Sequence, residues 1–95
     1  MWEFHVEPGA IAEFEQIYGP EGDWARLFRI NPEFLGTQLM RDADRPGRYL
    51  TLDRWTSREA LQNFKRDHHA EYSALDRQCE SLTLAERHLG DFFET

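Results

Sequence analysis

Residues 49–82, YLTLDRWTSREALQNFKRDHHAEYSALDRQCESL, decide the fold, because an alternating stretch runs straight into a long amphipathic one. Tyr49, Thr51, Asp53 and Trp55 share one parity and Leu50, Leu52 and Arg54 the other, which is the two-residue period of a strand. Bulky side chains stand in both sets, so both faces of this strand require cover. Thr56-Ser57-Arg58-Glu59 then places a hydroxyl three positions before a glutamate, the capping-box pattern that opens a helix. At about 100° per residue, Leu61, Phe64, His68, Tyr72, Leu75, Cys79 and Leu82 fall within a sector of about 80°. Glu59, Arg66, Arg77 and Glu80 lie opposite, as a solvated face requires. The spacing predicts one long helix, and no sequence signal decides whether it bends near His68-His69.

Upstream, residues 34–41 and 48–55 are both strand-like, and Asp42-Ala43-Asp44-Arg45-Pro46-Gly47 between them has turn chemistry, so the pair is predicted to form a hairpin. Trp2, Phe4 and Val6 alternate with Glu3 and His5 as a first strand, which Pro8-Gly9 ends. Ile11, Phe14, Ile17 and Tyr18 give a short amphipathic helix over residues 10–18, closed by Gly19-Pro20. Asp23 is the expected N-cap of a second short helix carrying Trp24, Leu27 and Phe28 on one face, before Asn31-Pro32. Downstream, Thr83-Leu84-Ala85-Glu86 repeats the hydroxyl-to-glutamate spacing and suggests one more helical turn, with a closing strand over residues 89–94. The order strand, helix, short helix, strand, strand, helix, strand is a ferredoxin-like, split βαβ layout of the α+β class with an antiparallel sheet.

With 95 residues, the chain has room for one domain, expected over residues 1–95, and a small core. Seven Phe, three Tyr and three Trp are many for that length, and several are expected at a pocket wall or an interface. The net charge of -7 argues against sequence-independent nucleic-acid binding, which draws its affinity from basic surface. Cys79 is the sole cysteine, so no internal disulfide and no multi-cysteine zinc site can form, and a cytoplasmic setting fits. No apolar run approaches the ~20 residues that cross a bilayer, nor does the N-terminus have the pattern of a signal peptide, so no membrane partner is expected.

His68 and Tyr72 stand one helical turn apart among apolar neighbours. In a pocket, the imidazole can exchange a proton near neutral pH and the phenol can donate a hydrogen bond to a substrate oxygen, which makes the two the candidate catalytic pair. A core His and Tyr satisfied by backbone carbonyls is the competing reading. His68 and His69 are adjacent, whereas helical metal pairs use i,i+4 spacing, so no metal site is expected. Tyr49, Thr51, Asp53 and Trp55 either line a pocket or pair across a dimer seam. Trp24, with Leu27 and Phe28, either covers a cavity mouth or plugs the core. The expected substrate-binding wall is Trp55, Tyr49, Phe64, Trp24 and His5. Phosphate-binding loops, nucleophile elbows and an RNA-binding RNP1 strand are absent from the sequence.

The run from Tyr49 through Trp55-Thr56-Ser57-Arg58-Glu59-Ala60, continuing to Phe64, His68, Glu71-Tyr72 and Ala74-Leu75-Asp76, resembles the antibiotic biosynthesis monooxygenase family. The resemblance implies a dimeric α/β barrel, in which two ferredoxin-like subunits face each other through their sheets and each holds a pocket between sheet and helices. It also implies a cofactor-independent oxidation of a small aromatic or polyketide-like substrate by molecular oxygen, with His68 as acid/base. Two departures are visible: Asn63 lies across the helix from His68, and the first strand offers His5 where the haem-degrading branch uses an Asn. A non-enzymatic binding or accessory protein on the same homodimeric scaffold is the alternative, and a dimer with a filled core is the third.

Overall fold

In the computed structural model, which describes residues 1–92, the hairpin of β2 (Phe34–Arg41) and β3 (Arg48–Trp55) forms over the predicted residues. Asp42 organises the turn by accepting from the Asp44 N–H at 2.8 Å and the Arg45 N–H at 3.2 Å. Gly47 has φ of 84°, a left-handed conformation that suits glycine, and its carbonyl accepts from the Val6 N–H at 2.7 Å. That bond ties the turn to β1 (Trp2–Val6), which pairs antiparallel with β3. On its other side β1 pairs with β4 (Thr83–His88), giving the antiparallel order β2-β3-β1-β4. β3 lies between β1 and β2, which is the split βαβ arrangement, and the α+β, ferredoxin-like reading holds.

All helices cover one face: α1 (Ile11–Tyr18), α2 (Asp23–Phe28), α3 (Arg58–Asp67) and α4 (His69–Cys79). Phe14 and Phe64 are the largest side chains sealed between the layers. Phe14 packs 4.3 Å from Tyr18 and 5.3 Å from Phe4, and Phe28 meets Phe64 edge-on at 5.3 Å, so the core is chiefly a chain of aromatic contacts. α2 can fold back onto α1 because Gly22 has no side chain: a Cβ there would stand 2.3 Å from the carbonyl oxygens of Gln16 and Ile17. This close approach delivers Trp24 to the interior. Among the described residues no helix is long and apolar enough to cross a membrane.

Several sequence expectations change: Gly22 rather than Asp23 is the N-cap of α2, and Ser57 rather than Thr56 caps α3. The long helix is broken at His68, whose φ of -122° and ψ of 34° are not helical. Its N–H still bonds the Phe64 carbonyl at 2.9 Å, and its carbonyl still accepts from Tyr72 at 3.0 Å, so the chain turns without losing its hydrogen bonds. A single wheel therefore cannot phase both halves. In the tail, residues 83–86 form the first part of β4 rather than a helical turn, because β1 offers its free edge there. The preceding turn, Glu80–Leu82, is a short 3-10 helix, and residues 89–92 are not in a strand. The last positions of the closing strand expected over 89–94 lie outside the described residues.

The face of the sheet away from the helices carries Leu50 and Leu52 from β3 with Leu35 and Met40 from β2; Leu35 is 56% exposed and Met40 39%. Beside them Glu3 receives Arg48 at 2.6 Å and Arg87 at 3.3 Å, and Arg48 also reaches Asp42 at 2.9 Å. Arg48, with Arg87, holds the Glu3 carboxyl below its usual range, and the Asp44 backbone N–H followed by Arg48 does the same at Asp42.

Candidate functional site

Strand alternation builds the site. Trp2 and Phe4 on β1, Thr51 and Asp53 on β3, and Thr37 on β2 all point toward the helices. Opposite them, α1 supplies Tyr18, α2 supplies Trp24 and Phe28, and α4 supplies Tyr72. Together they line a small cleft of about 60 Å³ that opens to solvent at its mouth. Asp76, one turn beyond Tyr72, and Glu86 on β4 are exposed and form the rim. A polar recess shared with Cys79, Glu80 and Thr83 adjoins this rim.

Asp53 is the unusual member. Its cross-strand partner Thr37 donates to Asp53 Oδ1 from Oγ1 at 2.6 Å. Burial pushes this carboxyl above its usual range and outweighs the Thr37 hydroxyl, the N-terminal ammonium and Lys65, which act in the other direction. The Tyr72 phenol is raised by burial first and then by the charges of Asp76, Asp53 and Glu86, so it stays protonated and can donate. Tyr18 is raised for the same leading reason. Glu86 is raised by partial burial and by repulsion from Asp76 and Glu80.

Trp24 meets Tyr72 edge-on at 5.1 Å and is 8% exposed. Its indole N–H lies near the Tyr18 hydroxyl and the Cys79 thiol but closes a well-formed hydrogen bond with no described residue.

The predicted residues divide. Tyr72 and Trp24 line the cleft. Trp55 and Phe64 pack against Phe28 behind the wall, at 5.4 Å and 5.3 Å, and the Trp55 N–H also lacks a described partner. Tyr49 is buried beneath α1 with its hydroxyl donating to Glu15. His5 sits on the opposite face of the sheet, 4.0 Å from Glu3. His68 is outside the lining: its ring stacks on Phe64 at 5.0 Å, Nδ1 lies 2.7 Å from Glu71 Oε2, and its side chain is 30% exposed. That contact holds the Glu71 carboxyl below its usual range.

Asp76, Glu86, Thr37 and Trp2 were not singled out by sequence as site residues, and Asp53 was named only among four residues that either line a pocket or pair across a dimer seam. For Asp53 the signal existed: a carboxylate shares its parity with Tyr49, Thr51 and Trp55 on a face that requires cover.

The family model described as antibiotic biosynthesis monooxygenase matches residues 1–74. No curated protein gives a significant match, and no solved structure does. The matched span takes in β1 to β3, Asp53 and Tyr72, and it ends before Asp76 and Glu86. On that match, together with the antiparallel ferredoxin-like sheet and its helix-covered cleft, the chain belongs to the antibiotic biosynthesis monooxygenase family.

Proposed function

We propose that the protein is a cofactor-independent monooxygenase that oxidises a small aromatic substrate with molecular oxygen, using Asp53 as proton acceptor. The observation that carries this reading is a half-buried carboxylate with a raised pKa, hydrogen-bonded to Thr37, in a cleft lined largely by aromatic rings. A base whose pKa is lifted toward the working pH holds a transferred proton better than an ordinary aspartate does. Asp53 takes this role in place of His68, since the rings of Phe28 and Phe64 stand between the cleft and the imidazole.

For a substrate with an acidic CH₂ beside an aromatic ketone or phenol, Asp53 removes one proton and leaves a delocalised anion. The Tyr72 phenol, protonated and in the lining, is a donor available to its developing oxyanion. The anion transfers one electron to oxygen, and the two radicals combine into a carbon-bound peroxide. Loss of the second C–H proton breaks the O–O bond, giving a ketone and water. The methylene supplies all four electrons, so no external reductant enters the balance.

In the same reading, two copies pair through the open face of the sheet, where Leu35 and Met40 are exposed, to make the barrel of a homodimer. We assign the protein to the cytoplasm on its single, buried cysteine. The alternative, a small-molecule binding or accessory protein, is favoured by one observation: among the described residues, the cleft lining contains no Lys, Arg, His, Asn or Gln side chain to hold an oxyanion.

An oxygen-electrode screen of anthrones and phenols tests both. The enzyme reading expects uptake with wild type and a loss of about 10²-fold or more in Asp53→Asn. A screened compound that binds without oxygen being consumed establishes the binding reading instead.

A further inference from the structure

Asp53 borders a second space, at the end of the sheet. β1 begins at Trp2, opposite Thr51, so the last residues of β3 have β2 on one side and no described strand on the other. The start of α3 and residues 91–92 flank the edge left open, with Asp91 held to Arg58 at 3.4 Å, and a groove of about 540 Å³ lies between them. Leu52, Trp55, Leu61 and Phe92 give it apolar walls, and the exposed Arg54 adds a cation, which the cleft lining lacks. The two spaces differ in what they can hold. A cavity of about 150 Å³ holds one benzene ring, so the cleft, at about 60 Å³, is too small for an aromatic substrate. The groove is within the size range of small-molecule sites. Among the described residues, Asp53 alone lines both.

We propose that the groove holds the body of the substrate, a planar aromatic of two or more fused rings with its acidic group at one end, and that the cleft beyond Asp53 admits only groups no larger than a hydroxyl or dioxygen. This rests on the proposed function in taking Asp53 as the base, and it adds the substrate's place and its size class. The apolar walls favour the ring faces, and Arg54 favours the anion that proton removal leaves. Asp53 meets the reacting edge from the wall that the two spaces share.

Proton–nitrogen correlation NMR of the wild-type protein, titrated with 2-naphthol, tests the site directly. The largest shifts are expected at Leu52, Arg54 and Leu61, with smaller ones at Tyr18, Trp24 and Tyr72. Leu61→Trp fills the groove from a half-exposed helix position and should weaken 2-naphthol binding by about tenfold or more. Phe92→Ala removes part of the wall at an exposed position, so it should weaken binding in the same direction while folding survives. Shifts centred on Trp24 and Tyr72, an affinity unchanged in both variants, or no binding, as when a second copy fills the groove, would each overturn the proposal. Oxygen uptake separates this site from the reading it rests on. Binding of 2-naphthol in the groove with no screened compound oxidised would end the monooxygenase and keep the site, whereas uptake left intact by both variants would end the site and keep the monooxygenase.

Discussion

The two faces of the sheet treat carboxylates in opposite ways. On the open face Glu3 is nearly buried, yet Arg48 and Arg87 reach it and its pKa falls. On the helix-covered face Asp53 receives one hydroxyl, no described arginine, and its pKa rises. The same alternation of side chains along neighbouring strands produces both, because β1 and β3 send successive residues to opposite sides. Compensated charge is what a structural position tolerates; uncompensated charge in a cleft lowers stability and marks a place kept for chemistry. This contrast, rather than the presence of acidic residues as such, singles out the cleft.

Core substitutions should show the largest effect. Phe14→Ala removes a fully buried ring that touches Phe4, Tyr18 and Tyr49, and a loss of about 3–5 kcal/mol is expected in urea unfolding. A loss confined to about 1 kcal/mol would mean that the covered face is looser than its aromatic contacts suggest.

On the open face, Leu35→Glu paired with Met40→Glu should leave the protomer folded and raise the dimer dissociation constant by about 100-fold, a few kcal/mol of lost association. Sedimentation velocity over a dilution series measures this. A wild-type protein that is monomeric at micromolar concentration would remove the covering partner from the account.

The third effect is smaller and reverses sign between the faces. Because the folded state raises the Asp53 pKa, its carboxyl favours folding only while protonated, and that contribution is lost as pH rises through the raised value. Asp53→Asn should therefore stabilise the protein at neutral pH by on the order of 1 kcal/mol, with the gain disappearing below the ordinary aspartate value of 3.8. Glu3 has a lowered pKa, so its contribution is present above 4.5 and fades as pH falls through the lower folded value. Glu3→Gln should accordingly destabilise at neutral pH and matter less in acid. Thermal melts across pH should show the two variants moving in opposite directions.

His68→Ala should do least. Its ring stacks on Phe64 and contacts Glu71 at a half-exposed bend, so about 0.5–1 kcal/mol of stability is at stake. Turnover, measured beside Asp53→Asn, should change far less than in that variant. A collapse of activity in His68→Ala with Asp53→Asn still active would return the acid/base role to the imidazole.

Much of the fold was legible because it rests on local period. The hairpin of β2 and β3, with Asp42 and Gly47 in its turn, forms over the residues its alternation and turn chemistry predicted. The start of α3 was legible to within a residue, although Ser57 caps it by accepting from the Ala60 N–H at 3.1 Å, in place of the box expected between Thr56 and Glu59. Tyr72 and Trp24 line the cleft. What sequence could not give was set by packing between distant elements. At the break His68 stays beside Phe64, its neighbour one turn back, while Tyr72 and Asp76 on α4 face the cleft. Likewise, nothing local in residues 83–86 announces a strand; the open edge of β1 determines it, and with it the placement of Glu86 at the rim.

The central claim is that Asp53 is held in the cleft with no ion-pair partner among the described residues while Glu3 is paired with arginines on the far side of the same sheet. Carboxyl-detected NMR titration of the wild-type protein, with Asp53→Asn and Glu3→Gln fixing the assignments, measures both groups in one experiment. The account predicts Asp53 titrating above 3.8 and Glu3 below 4.5. An Asp53 that titrates at or below the ordinary aspartate value would contradict it.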